Sequence, residues 1–387
     1  MARHVVFVEP FYAGSHKQLL DTLQTHLLKD CTPTLVTLPG KKWKWRSMAS
    51  SLFVADAIPS PMPSAADGGV LFCSSMLNLP EVLALRPDVA ATRKVVYFHE
   101  NQLEYPQRED KERDYVLKWS QIITALTADV VCFNSAWNKD SFLAKIDATM
   151  RKIPDKAQRV MGVAERIAPK CRVLYFPVEL PAVPPVAASP PDAAVAGAGD
   201  TPPAKRRATE PLHIAWNHRW EHDKNPAALF DALRVLHDKG LDFRLVLLGE
   251  QFAEVPPEFE AARAWLEAAG KVAHWGYAES KAEYYRLLHG CDVVVSTAVH
   301  EFFGVSMVEA AACGCYPLAP ARLAYPEVFP AAHLYKTDAQ LRKRLRAMAY
   351  APHTVRGWRH GDGLAGLGLE RFTWAALEAP FREAVLG

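Results

Sequence analysis

The sequence has 387 residues, half of them hydrophobic and 23% charged, which suffices for two or three globular domains with sizeable cores. A formal net charge of +2 excludes any bulk demand for nucleic acid, so an anion-binding surface must be local. Seven cysteines, odd in number and set in apolar runs such as Val130–Phe133, exclude a disulfide scaffold and point to free thiols in a reducing compartment.

In chain order, a strand is expected at His4–Glu9, after a start too short in apolar residues for a signal peptide. Further strands are predicted at Thr34–Leu38, Val70–Cys73, Lys94–His99, Asp129–Phe133 and Arg172–Phe176. Helical spacing covers His16–Lys29, Lys111–Thr127 and Ala136–Met150. Pro and Ala then crowd residues 177–210, which lack apolar periodicity and read as a linker. Strands resume at Leu212–Trp216, Arg244–Leu248, Val272–Trp275, Asp292–Ser296 and Tyr316–Leu318, and an amphipathic stretch closes the chain at Arg371–Leu386. Such alternation predicts parallel sheets covered by helices on both faces. The expected architecture is α/β, with two Rossmann-like doubly wound domains facing each other across a cleft. Residues 1–176 are expected to form the N-terminal Rossmann-like domain, 177–210 the linker, 211–365 the C-terminal Rossmann-like domain, and 366–387 a helix crossing back to the first domain. No run approaches the ~18 apolar residues of a membrane span. A soluble protein without membrane contact is expected, in the cytoplasm and with the nucleus as a second location.

Ligands of open parallel sheets bind beyond the carboxyl ends of strands, and the informative residues fall there. Glu301 and Glu309 stand eight apart after a predicted strand, with a helix start near Phe303, Gly304 and Val305. A helix start offers unpaired N–H groups to a diphosphate, and a carboxylate one turn deeper can accept from sugar hydroxyls. The pair alone also fits one capping and one solvated glutamate. The flanking Ser296-Thr297 and Cys313-Gly314 favour the ligand site. Arg219 and Lys224, in the loop after Trp216, can converge on one diphosphate, the first through a fork and the second as a point charge. An exposed charged loop is the alternative. In the first half, Gly14 and His16 occupy the turn after the first strand, and His99 ends the fourth. By position alone Gly14 is equally a tight turn and His99 a structural hydrogen-bonding group. Lys41, Lys42, Trp43, Lys44, Trp45 and Arg46 alternate cations with rings, fit to grip phosphates and stack on bases. They equally fit a loop whose tryptophans plug the core. No D-x-D element calls for a metal, and no carboxylate pair announces a hydrolase.

The segment from Glu301 to Glu309 resembles the E-x7-E signature of retaining glycosyltransferases of family 4, which have the GT-B fold. That resemblance implies that Glu301 contacts the transferred sugar and Glu309 the ribose, that Arg219 and Lys224 hold the diphosphate, and that His99 lies beside the donor sugar. Phe302, and Asn217-His218 where glycine is usual, depart from the pattern. Longer words are similar to the tRNA-queuosine mannosyltransferase family: Phe11–Leu20, Leu38–Arg46, Val96–Tyr105, His218–Lys224, His300–Gly304 and Tyr325–Pro330. The implied reaction is a metal-independent transfer of mannose from GDP-mannose, a donor substrate rather than a cofactor, to queuosine at the wobble position of tRNA(Asp). On this resemblance Lys41–Arg46 become candidate tRNA contacts, and Lys205–Arg207 in the linker either add phosphate attraction or stay as solvated charge. Two alternatives remain open: the same fold acting on a lipid or glycan acceptor, or a binding protein that has lost catalysis.

Overall fold

Val5, Val6, Phe7 and Val8 follow one another without a polar break, as suits a strand covered on both faces. They are fully buried at the centre of β1 (Arg3–Tyr12) in the computed structural model. The structure describes residues 3–27, 31–105, 112–180, 210–251, 255–360 and 362–387. Residues 181–209 of the expected linker, with Lys205–Arg207, lie outside the described residues. Two units form, Met1–Pro177 with Phe372–Gly387, and Val178–Arg371.

In unit 1, β1 is joined by β2 (Cys31–Pro39), β3 (Gly69–Ser74), β4 (Arg93–Phe98), β5 (Val130–Phe133) and β6 (Cys171–Val173). The order is β2-β1-β3-β4-β5-β6 with every pair parallel. Successive connections leave β1 in opposite directions, so the crevice of this doubly wound sheet opens beyond the carboxyl ends of β1 and β3. The ladder slips between Glu9 and Tyr12, where Pro10 brings no N–H. Under the sheet Phe98 stacks on Phe133 at 4.7 Å and meets Phe142 at 4.9 Å, within one apolar cluster. The helix Trp374–Leu386 packs in this unit, with Phe381 on Tyr97, Trp374 on His26, and an Arg172–Glu383 ion pair.

Unit 2 contains β7 (Leu212–Asn217), β8 (Phe243–Leu248), β9 (Val272–Gly276), β10 (Val293–Val295), β11 (Tyr316–Pro320) and β12 (Leu334–Tyr335). Their order, β12-β11-β10-β7-β8-β9, places the switch point between β7 and β10. The expected strand Asp292–Ser296 shortens at both ends because its polar residues have other partners. Asp292 pairs with Arg356 at 2.8 Å and accepts His213 N–H at 2.9 Å, and the Ser296 hydroxyl meets that of Tyr325 at 2.6 Å. Among the described residues no helix is long and apolar enough to cross a membrane.

One element departs from the sequence reading. Residues from Trp43 onward are not a loop but the start of the helix Trp43–Ala57. Its buried side carries Ser47, Ser50, Ser51, Val54 and Ala55, while Trp45, Met48, Leu52 and Phe53 face solvent. The apolar periodicity is therefore on the wrong side, and a reading that expects apolar residues inward misses the helix. Neither tryptophan plugs the core. Trp45 is 67% exposed, and Trp43 is half-buried beside Tyr105 at 6.5 Å.

Candidate active site

In unit 2 the loops after β7 and β10 meet at the switch point. Lys224, 5% exposed, donates to the His300 carbonyl at 2.8 Å and to Glu301 Oε2 at 3.3 Å, with Asp223 Oδ2 at 3.2 Å. The two loops are tied together by Thr297, whose hydroxyl donates to the Lys224 carbonyl at 2.7 Å and accepts the Trp216 indole N–H at 3.2 Å. Val299 N–H donates to the Asp223 carbonyl at 2.9 Å. Burial pushes the Glu301 carboxyl up, but Lys224 ahead of the other charges pulls it down to about 2. Burial, then Lys224, lowers His218 to about 3 and His300 to about 4, so both imidazoles are neutral near pH 7. Arg219 pairs with Glu221 at 3.2 Å and sits close enough to Glu301 to help hold it ionised.

Glu301 Oε1 accepts the N–H groups of Phe302 at 3.1 Å and Phe303 at 3.5 Å, which curls the loop into the helix Val305–Ala312. Gly304 turns the chain at φ +92°, and a Cβ there would meet Tyr325 at 3.0 Å. No side chain caps the helix start at Val305, and first-turn N–H groups have no intrahelical acceptor. Phe302 is buried with its ring edge-on to His300 at 4.4 Å. Asn217 donates to the Ser306 carbonyl at 2.7 Å and to the Tyr284 hydroxyl at 2.9 Å, linking β7 to that helix. Glu309 is 4% exposed and pairs with Lys281, whose ammonium lies about equally over the rings of Tyr284 (5.0 Å) and Tyr285 (4.9 Å).

In unit 1 a second cluster gathers beyond β1 and β4. Gly14, at φ +50°, opens the helix Gly14–Leu27 with clear space where a Cβ would stand. His16 lies between Glu9 (3.0 Å) and Glu100 (3.3 Å), and its ring stacks on His99 at 3.9 Å. Asn134 fixes the loop by donating to the His99 carbonyl at 2.7 Å, and Gln121 accepts Gln102 N–H at 2.7 Å. At the start of the helix Trp43–Ala57, Lys41, Lys42 and Lys44 are exposed, and Lys44 lies over the Trp43 ring at 5.7 Å.

A tRNA-queuosine alpha-mannosyltransferase of Drosophila melanogaster is 43% identical over 356 residues, covering 92% of this chain and 89% of its own length. Residues 4–178 also match the family described as tRNA-queuosine alpha-mannosyltransferase N-terminal, and residues 200–338 match glycosyl transferases group 1. The chain belongs to the tRNA-queuosine alpha-mannosyltransferase family. It is a glycosyltransferase, and within that class a hexosyltransferase. A GDP-mannose-dependent alpha-(1-6)-phosphatidylinositol dimannoside mannosyltransferase of Mycobacterium tuberculosis is 30% identical over 155 residues, 39% of this chain and 38% of that protein. The Anabaena protein HepE, solved in complex with UDP, aligns over 99% of both chains with TM-score 0.65 at 14% identity, a likeness of fold. The GT-B class expected from the sequence is thereby reached through structure as well.

For this family member, the predicted residues fall into separate groups. Lys224, Glu301, Phe303, Gly304 and Val305 share one loop cluster in unit 2. Arg219 adjoins it, and Glu309 stands deeper in the helix. Gly14, His16 and His99 gather in unit 1, where Tyr12 pairs with Pro39 and Gly40 lies against Ala13, so the Lys41–Arg46 stretch begins beside the Gly14 turn. Sequence reasoning missed Asp223, Lys281, Glu9 and Glu100 as partners of these groups. The one available signal was position, since Glu9 and Glu100 each flank a predicted strand end.

Proposed function

We propose that this chain transfers mannose from GDP-mannose to queuosine at the wobble position of tRNA(Asp), with retention at the anomeric carbon and without a metal ion. The observation that carries the reading is the buried Lys224–Glu301 pair at the β7/β10 switch point, beside an uncapped helix start. As the donor binds, phosphate oxygens replace a carboxylate at Lys224, and Arg219 exchanges Glu221 for the same diphosphate. Glu301 faces the sugar and Glu309 the ribose, with Lys281 displaced from it. In unit 1, His99 contacts the transferred sugar, and Gly14 leaves room for backbone approach to the donor. The bond from the anomeric carbon to phosphate breaks with its electron pair going to the diphosphate. A bond to the acceptor oxygen forms on the same face, and the acceptor proton passes to the departing phosphate oxygen. Charge building on the diphosphate is met by Lys224, Arg219 and the N–H groups after Gly304.

The fruit-fly relative's name supports the acceptor, and the mycobacterial relative's name supports the nucleotide. Lys41, Lys42, Lys44 and Arg46 are assigned to tRNA phosphates, and Trp45 to an unpaired base; Trp43 orients Lys44. The place of action is the cytoplasm, with the nucleus as a second location. The test is incubation with GDP-mannose or UDP-sugars and tRNA carrying queuosine or guanosine at the wobble position, followed by nucleoside mass analysis. A hexose on queuosine from GDP-mannose alone is expected. No addition to queuosine removes the acceptor assignment, and equal use of UDP-sugars removes the donor assignment.

A further inference from the structure

The proton inventory of His16 is fixed by its neighbours. Its Nδ1 faces Glu9 Oε2 at 3.0 Å and its Nε2 faces Glu100 Oε2 at 3.3 Å, while the other oxygen of Glu9 accepts Phe11 N–H at 2.8 Å. An ionised carboxylate only accepts, so between two of them both ring nitrogens carry hydrogen and the ring is an imidazolium. Burial pulls its pKa down, but Glu9 and Glu100 together raise it to about 10.

His99 lies face to face with that cation, 3.9 Å away with its plane tilted by 25°. It is 6% exposed, and neither of its ring nitrogens has a hydrogen-bond partner. A charged His99 would set two cations in contact and bury two unsatisfied donors. Among the described residues its other ring contacts are uncharged aromatics. Tyr97 presents its ring edge at 4.9 Å and donates its hydroxyl to the Leu174 carbonyl at 3.0 Å, and Phe176 lies at 6.1 Å. Burial, and then His16, hold the His99 pKa well below the usual histidine range. Glu9, His16 and His99 do bring three potential metal ligands within 4.8 Å. Imidazole lone pairs lie in the ring plane, however, so two stacked rings aim them side by side rather than at one point, and His16 has no lone pair left to give.

We propose that His16 is a positioning residue: held charged between Glu9 and Glu100, it keeps the stacked His99 neutral, with one ring nitrogen unprotonated and so able to accept a hydrogen bond from a hydroxyl of the transferred sugar. This rests on the reading that His99 touches that sugar, and it assigns His16 an indirect role instead of a donor contact.

The test is nitrogen-detected NMR of histidine-labelled protein between about pH 5 and about pH 9, a range that spans ordinary histidine titration, with transfer kinetics on the same samples. In the unsubstituted protein, two protonated nitrogens on His16 and one on His99 are expected throughout. A neutral His16, a charged His99, or zinc binding that strips the His16 protons overturns the proposal, and this arm needs no variant. In His16→Gln the His99 midpoint should rise, so that His99 takes up a second proton within that range. The acid limb of kcat/KM should follow, with about tenfold lower activity one unit below the new midpoint and recovery at higher pH. An unmoved midpoint in a folded His16→Gln also overturns it. If His99→Ala leaves transfer intact, the sugar-contact reading falls while the protonation result stands.

Discussion

At Lys224 one ammonium holds two carboxylates and a carbonyl in a site almost closed to water. Removing it has two separable consequences. Lys224→Met takes away the charge that meets the leaving diphosphate, so kcat should fall about 10²–10³-fold. It also strands Asp223 and Glu301 as buried carboxylates, which should cost unit 2 about 3–5 kcal/mol. Adding Glu301→Gln should recover part of the stability but none of the turnover, as calorimetry and kinetics on the two variants will show. The buried histidines make each unit respond to pH. His16 is raised from 6.5 to about 10, so its contribution is complete below the unfolded value and is lost as pH climbs through about 10. His218 and His300 are lowered from 6.5 to about 3 and about 4, so the unfolded chain binds their protons first and unit 2 weakens as pH falls below 6.5. Glu301, lowered from 4.5 to about 2, extends that loss further into acid. His99, held well below the usual histidine range, weakens unit 1 in acid as well, so thermal scans should show the unit 1 transition falling on both sides of neutrality and the unit 2 transition falling in acid. A unit 1 transition that does not fall as pH climbs through about 10 contradicts this.

Two elements carry consequences that single residues do not. The helix Val305–Ala312 begins where it does because Gly304 adopts φ +92° against the Tyr325 ring. Gly304→Ala adds a Cβ 3.0 Å from that ring in a conformation that disfavours side chains. A loss of about 1–3 kcal/mol is expected, together with weaker donor binding because the helix start moves; calorimetry with titrated GDP checks both. The helix Trp43–Ala57 turns its larger apolar side chains outward and its serines inward. If that face receives RNA bases, Trp45→Ala should raise KM for tRNA about tenfold, within the ~1–3 kcal/mol of a stacked base. Stability should change by less than ~0.5 kcal/mol, since the ring touches little of the core. An unchanged KM, or an equal loss of stability, counts against the contact. The same inversion explains why the strands were readable and this helix was not. Val5–Val8 and Val130–Phe133 are continuous apolar runs that need only burial on both faces. Trp43–Ala57 depends on which side its neighbours leave open.

Over the whole molecule, the chain leaves unit 1 after Pro177 and returns to it at Phe372. The last helix is part of unit 1's core: Phe381 is fully buried against Tyr97, and Arg93 donates to the Ala384 carbonyl at 3.1 Å. Phe381→Ala should therefore cost about 3–5 kcal/mol in the unit 1 transition alone, leaving the unit 2 transition in place. Movement of both transitions would mean that the units unfold as one. The sequence by itself determined the alternation of strands and helices, the two α/β halves, and the words around His99, Arg219, Lys224, Glu301 and Glu309 that mark the family. These are local properties, set by side-chain period and by residues close together along the chain. Only the tertiary structure decided that Lys224 would be held by Asp223 and Glu301, that Glu309 would meet Lys281, and that His16 would lie between Glu9 and Glu100 against His99. The Lys224–Glu301, Lys281–Glu309 and His16–Glu100 meetings each join segments that follow different strands, and which strands lie side by side is a matter of sheet order, which no local period encodes.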